Sequence, residues 1–164
     1  MDDDTDERQA LKKGLENIGF ANISEADDPV AALETMRARP ADLLVCEHYI
    51  PFVWFLRTSA KRPAAYTSIL MLSAQNRPDD IREAIDSGVN RFVAKPAAPG
   101  ELAGHIRQIL EQPEPFVESD GYIGPDRRRQ AIRKDRRTQS GEESAPPSPN
   151  MNLTPEEIAI LLER

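Results

Sequence analysis

The stretch Ala41-Asp42-Leu43-Leu44-Val45-Cys46-Glu47-His48-Tyr49-Ile50-Pro51 decides how this chain reads. Four apolar residues, Leu43 to Cys46, sit between a polar entry and a polar exit. A short unbroken apolar run of this kind is how a strand buried on both faces of a parallel sheet is written. In such sheets chemistry collects at the carboxyl ends of the strands. Glu47 stands at that end, so it is the first candidate site residue.

The flanks repeat the pattern. Upstream, Asp4 or Thr5 can cap a helix carrying Ala10, Leu11, Leu15 and Ile18, with Gly19 as its stop. Phe20 to Ala26 reads as a short strand. Asp27 or Asp28 caps a helix with Pro29 in its first turn and Val30, Leu33 and Met36 on its inner stripe. Downstream, Phe52-Val53-Trp54-Phe55-Leu56 reads as a short core-facing helix, against the alternative of an apolar contact surface. Ser68 to Ser73 is a second buried strand. Pro78 to Ser87 is a helix with Ile81, Ala84 and Ile85 inward and Gly88 as its stop. Arg91 to Ala94 is a third strand, closed by Lys95-Pro96, and Leu102, Ile106, Ile109 and Leu110 mark a last amphipathic helix. Strands alternating with helices predict an α/β fold: a doubly wound parallel sheet with right-handed crossovers.

That constellation resembles the receiver domain of bacterial response regulators, the CheY-like, flavodoxin-like fold, over residues 1–112. The resemblance rests on the acidic pair Asp2-Asp3, on Glu47 with Pro51 four residues on, on Ser73-Ala74, on Phe92 and on Lys95-Pro96. It implies an acceptor carboxylate at Glu47, where the family has an Asp phosphorylated by a histidine kinase. It implies Mg²⁺ on the acidic pair, phosphoryl oxygens on Ser73 and Lys95, and a switch aromatic at Phe92. Two departures tell against a working cycle. Glu47 is one methylene longer than the family's Asp and is placed to pair with Lys95. No apolar strand precedes Asp2-Asp3, so the first strand is expected to be missing or truncated and Mg²⁺ binding is doubtful. The expected site is a degenerate phosphoacceptor with no catalytic residue and no resident metal.

Composition separates body from tail. The formal charge is −7, yet Asp126 to Arg137 alone carries +5, so the rest carries −12. An acidic body with a basic tail implies an anionic ligand for the tail. The one cysteine, Cys46, excludes an internal disulfide, and no apolar run reaches the length of a membrane span. The first residues are acidic rather than a secretory leader, and a cytoplasmic protein is expected. His48 and His105 have no partner motif and read as surface or satisfied histidines.

Within the basic run the unit Asp-Arg-Arg occurs twice, at Asp126-Arg127-Arg128 and Asp135-Arg136-Arg137, with Arg129 and Arg133 between them. A plain nucleic-acid tail has no need of carboxylates at regular places. Guanine does: its O6 and N7 accept an arginine fork, and its N1–H and N2–H groups donate to a carboxylate. Remaining guanidiniums meet phosphates or stack on bases. A cyclic dinucleotide with two guanines fits a doubled unit. Together with the receiver-like body, this tail resembles the Cle group of CheY-like cyclic di-GMP effectors. That resemblance implies cyclic di-GMP as ligand and a protein partner at the flagellar motor switch or in surface attachment. Two alternatives remain: a phosphoryl-accepting response regulator, and a nonspecific nucleic-acid tail.

Residues 113–150 are expected to be a flexible extension. Residues 151–164 are expected to form a short amphipathic helix, opened by the capping box Thr154-Pro155-Glu156-Glu157.

Overall fold

The computed structural model describes residues 1–59, 63–119 and 122–126. The elements follow in order: α1 (Thr5–Asn17), α2 (Pro29–Ala38), β1 (Leu43–Glu47), α3 (Ile50–Thr58), a 3₁₀ turn (Ala64–Tyr66), β2 (Ser68–Ser73), α4 (Pro78–Ser87), β3 (Arg91–Ala94), α5 (Pro99–Glu111), β4 (Phe116–Ser119) and β5 (Tyr122–Pro125). The first three strands form a parallel sheet in the order β1-β2-β3. Leu43 lies beside Ser68, Glu47 beside Leu72 and Ser73 beside Ala94.

Alternation along the strands sorts side chains onto two faces. Leu44, Cys46, Ile69 and Met71 pack with Leu33 and Met36 of α2, with Phe52, Val53 and Leu56 of α3 and with Ala84 of α4. Leu70, Leu72 and Val93 pack with Leu15 of α1 and with Leu102, Ile106 and Ile109 of α5. Each face is covered by helices, as a doubly wound sheet requires. The helix starts follow capping chemistry: Asp4 accepts from the N–H groups of Asp6 and Glu7, and Asp28 from that of Ala31. Gly88, at φ 107°, ends α4 in the left-handed conformation that glycine adopts without strain. The segment 52–56 is the core-facing helix expected of it, with Trp54 half-buried.

Three expectations are corrected. Phe20 to Ala26 is not a strand, for two reasons. Asn22 has φ 59°, a left-handed kink that ends an extended run. Pairing is also missing among the described residues: Met1 and Asp2 lie between this segment and β1. Met1 gives its terminal ammonium to Val45 O at 2.7 Å and takes the N–H of Glu47 at 3.0 Å, while Asp2 N donates to Ala26 O at 3.3 Å. Beside these two residues lies a groove of about 340 Å³ lined by Leu11, Leu15, Ile23, Leu43, Val45 and Ile106.

Second, Ile85 and Leu110, read as inward, are exposed at 36% and 43%. Their helices present fewer apolar rows than the spacing suggested, with Ala84 and Ile109 taking the core positions.

Third, the flexible extension does not begin at 113. Phe116–Ser119 and Tyr122–Pro125 pair as an antiparallel hairpin, Phe116 beside Pro125 and Ser119 beside Tyr122. Arg127 to Asn150 and the expected helix at 151–164 lie outside the described residues.

Candidate functional site

The carboxyl ends of β1, β2 and β3 converge on one lysine. Lys95 follows β3 directly, and its N–H donates to Ser73 O at 2.8 Å, extending the ladder by one rung. That rung aims its side chain at the stub Met1-Asp2 and at β1. Its Nζ donates to Glu47 Oε1 at 3.0 Å, to Asp2 Oδ2 at 3.2 Å and to Glu7 Oε2 at 2.5 Å. An ammonium has three N–H donors, and three carboxylates take them.

Burial alone would lower the pKa of Lys95. The hydrogen bonds from Glu7, Glu47 and Asp2 outweigh it, and the pKa rises above the ordinary lysine value. Asp2 is the deepest partner, its side chain 7% exposed, while those of Glu47 and Glu7 are 37% and 56% exposed. Asp2 is also held from behind: its Oδ1 accepts from Asp4 N at 3.0 Å, and its carbonyl oxygen accepts from Arg8 Nη1 at 2.6 Å.

Asp3, exposed, completes a trio with Asp2 and Glu47 whose ligand atoms lie within 4.8 Å of one another. Oxygen donors of this kind suit a hard dication. Two of the three already meet Lys95, so Mg²⁺ would share both carboxylates with an ammonium.

Ser73 is fully buried and turns to other partners. Its hydroxyl lies 3.1 Å from His48 Nδ1 and 3.1 Å from Gln75 O, and it accepts from Gln75 N at 2.9 Å. One hydroxyl proton serves one of the two acceptors; if Gln75 O takes it, His48 Nδ1 carries a proton of its own. Phe92 is half-buried and packs on the α2–α3–α4 side of the sheet.

The structure thus joins Asp2, Glu47 and Lys95, sets Asp3 beside them, and ties Ser73 to His48 rather than to the lysine. Two participants escaped the sequence reading. Glu7, in the first turn of α1, was assigned no site role from the sequence. His48 was set aside although it follows Glu47 directly at the strand end. Of the arginine stretch, Asp126 is described: it is half-buried and its N–H donates to Pro115 O at 2.8 Å. Arg127, Arg128, Arg129, Arg133, Asp135, Arg136 and Arg137 lie outside the described residues.

A parallel sheet with helices on both faces, and an acidic cluster facing a lysine across its strand ends, defines a receiver-type signalling domain. The sequence comparison agrees: the model of the response regulator receiver domain matches residues 1–107, and the chain belongs to that family. The chemotaxis protein CheY of Pseudomonas aeruginosa is 33% identical over 116 residues, covering 68% of this chain and 94% of that protein. The chemotaxis protein CheY-3 of Vibrio cholerae is 28% identical over 116 residues, covering 68% and 89%. Among solved structures, a putative response regulator from Chloroflexus aurantiacus superposes with a TM-score of 0.61 at 25% identity, covering 68% of this chain and 94% of its own. Vibrio cholerae CheY4 superposes with a TM-score of 0.60 at 23% identity, covering 66% and 93%. Among the described residues, no helix is long and apolar enough to cross a membrane.

Proposed function

We propose that this chain is a non-enzymatic cytoplasmic signalling adaptor. Its receiver domain docks a protein partner such as the flagellar motor switch or a surface-attachment machinery, and its arginine-rich tail binds cyclic di-GMP. The observation that carries the first half is Glu47, the longer carboxylate at the acceptor position, already bonded to Lys95 at 3.0 Å. Lys95 would have to hold a phosphoryl group in a working receiver, and its three donors are spent on Glu47, Asp2 and Glu7. The second half rests on the doubled Asp-Arg-Arg unit, with carboxylates where guanine donates and guanidiniums where it accepts. Ordering a tail costs conformational entropy, which a ligand with two phosphates and two bases offsets through many charge-assisted bonds.

Titration calorimetry with cyclic di-GMP, against GTP and a short RNA, tests the ligand. Selective binding, lost in a variant with Arg127, Arg128, Arg136 and Arg137 all changed to Ala, is the expected result. Equal affinity for the three ligands would instead support the nucleic-acid tail. A second reading, phosphoryl acceptance, is favoured by the Asp2-Asp3-Glu47 trio and by the likeness to chemotaxis proteins. Acetyl phosphate with Mg²⁺, followed by intact-mass measurement, decides it: a gain abolished by Glu47→Ala would replace the adaptor reading.

A further inference from the structure

Ser73 ends β2, the middle strand of the parallel sheet, and stands at the same strand ends as the Lys95 cluster. On one side Leu72 is in register with Glu47. On the other, Ser73 is in register with Ala94, and its carbonyl takes the N–H of Lys95 at 2.8 Å. Successive side chains of a strand point to opposite faces. Leu72 packs with α1 and α5, so Ser73 turns to the side of α2, α3 and α4. Glu47, two residues after Val45, shares the α1–α5 side. His48 comes next and points the other way, bringing Nδ1 to 3.1 Å from Ser73 Oγ. An anion over these strand ends is therefore flanked by Lys95 on one side and by the Ser73 hydroxyl on the other.

The hydroxyl is not free to turn toward such an anion. It is fully buried, and it offers one proton and two lone pairs. Gln75 N–H, at 2.9 Å, takes one lone pair. That bond closes a local turn and leaves the proton and the second lone pair to be placed. His48 Nδ1 and Gln75 O, each at 3.1 Å, place them. If Nδ1 is unprotonated, it accepts the hydroxyl proton. If Nδ1 carries a proton, it donates to the second lone pair, and the hydroxyl proton goes to Gln75 O. Both arrangements keep Oγ turned toward His48 and leave no donor over.

We propose that His48 is a positioning residue: its imidazole holds the Ser73 hydroxyl back from any phosphoryl group at Lys95. This rests on the adaptor reading given above and adds a block that is independent of the length of Glu47. Glu47→Asp offers acetyl phosphate a shorter carboxylate, whose oxygen takes the phosphoryl group while acetate leaves. The new phosphoryl oxygens still lack a bond from the hydroxyl. Freeing Ser73 supplies that bond.

The test uses the full chain carrying Glu47→Asp, with acetyl phosphate and Mg²⁺ and intact mass as the readout. Adding His48→Ala should raise the labelled fraction at a fixed time about threefold or more, the worth of one hydrogen bond. Adding His48→Asn, whose amide can replace Nδ1, should leave the fraction near the Glu47→Asp level. The gain should vanish when Ser73→Ala joins His48→Ala, whereas a gain from opened space would survive that change. With Glu47 intact, amide exchange at Gln75 gives a second reading. His48→Ala should speed it several-fold as Ser73 turns away, and His48→Asn should not. A gain that persists without the Ser73 hydroxyl overturns the proposal. So does unchanged Gln75 exchange in His48→Ala, whichever way the labelling falls. Labelling of the unaltered chain, abolished by Glu47→Ala, overturns the adaptor reading instead, and Gln75 exchange then decides the role of His48 by itself.

Discussion

Replacing Lys95 by Met keeps the length and much of the volume of the stem and removes the charge. The cost follows from who is left behind. Asp2 is 93% covered and loses the cation on Oδ2, retaining Asp4 N on Oδ1. A deeply buried carboxylate stripped of its partner costs about 3–5 kcal/mol, and Asp2, at the edge of the cluster, falls at or below the lower end of that range. Glu47 and Glu7 are too exposed for their lost pairs to exceed about 0–1 kcal/mol each. The sum is about 2–4 kcal/mol, or a fall in Tm of roughly 6–15 °C for a domain of this size.

The pH dependence has a definite sign. The folded-state pKa of Lys95 is raised, so its contribution is complete below the unfolded value near ~10.4 and is lost as pH climbs through the folded value. The difference between the chain and its Lys95→Met variant should be constant across neutral pH and narrow above about pH 10.5. Urea unfolding at pH ~7, ~9 and ~11 measures it, and Lys95→Arg, which keeps the charge, should recover most of the loss at pH ~7. A loss under about 0.5 kcal/mol, or one that does not narrow at high pH, would show that packing and not charge makes Lys95 matter.

Glu47→Asp retracts the carboxylate by about 1.5 Å and weakens its grip on Lys95, so acetyl phosphate with Mg²⁺ should label this variant under conditions that leave the unaltered chain unlabelled; intact mass reads the outcome, and an unlabelled variant means that carboxylate reach is not what retires the site. Arg57→Lys offers one nitrogen where the guanidinium serves three carbonyls, and urea unfolding should show a loss of about 2–5 kcal/mol. Cys46 is 1% exposed and burial pushes its thiol up to about 12, so a thiol reagent at pH ~8 should leave the folded chain unmodified and react once urea unfolds it.

The sheet was legible because burial on both faces writes itself as a contiguous apolar run. Leu43 to Cys46 and Ile69 to Leu72 could hardly be anything else, and adjacent cap candidates marked the helix starts, of which the structure uses Asp4 and Asp28. Phe20 to Ala26 has the composition of a strand, but a strand is a property of a pair, and among the described residues no strand pairs with this segment. Glu7 was hidden for a related reason: nothing in its neighbourhood records that α1 turns its first turn toward β3. The hairpin had a signal in Asp120-Gly121 between Phe116-Val117 and Tyr122-Ile123, the spacing of a tight β-turn. Pro125, just beyond it, is buried.

The acidic site is biased rather than locked, and the energies show where the bias sits. A phosphoryl group seeking Lys95 must displace one of three carboxylates. Glu7 yields most easily: it is 56% exposed, and an exposed pair contributes about 0–1 kcal/mol. Saturation of the lysine is therefore a modest barrier by itself. Glu47 is the larger one, because it would be acceptor and lysine partner at once. Phosphorylating it to an acyl-phosphate takes the carboxylate away from Lys95 and places the phosphoryl charge a methylene farther out than an Asp would. The unmodified Glu47 already gives Lys95 a negative partner at the end of β1, the contact an acyl-phosphate would make. On this reading the domain has one resting conformation at the acidic site.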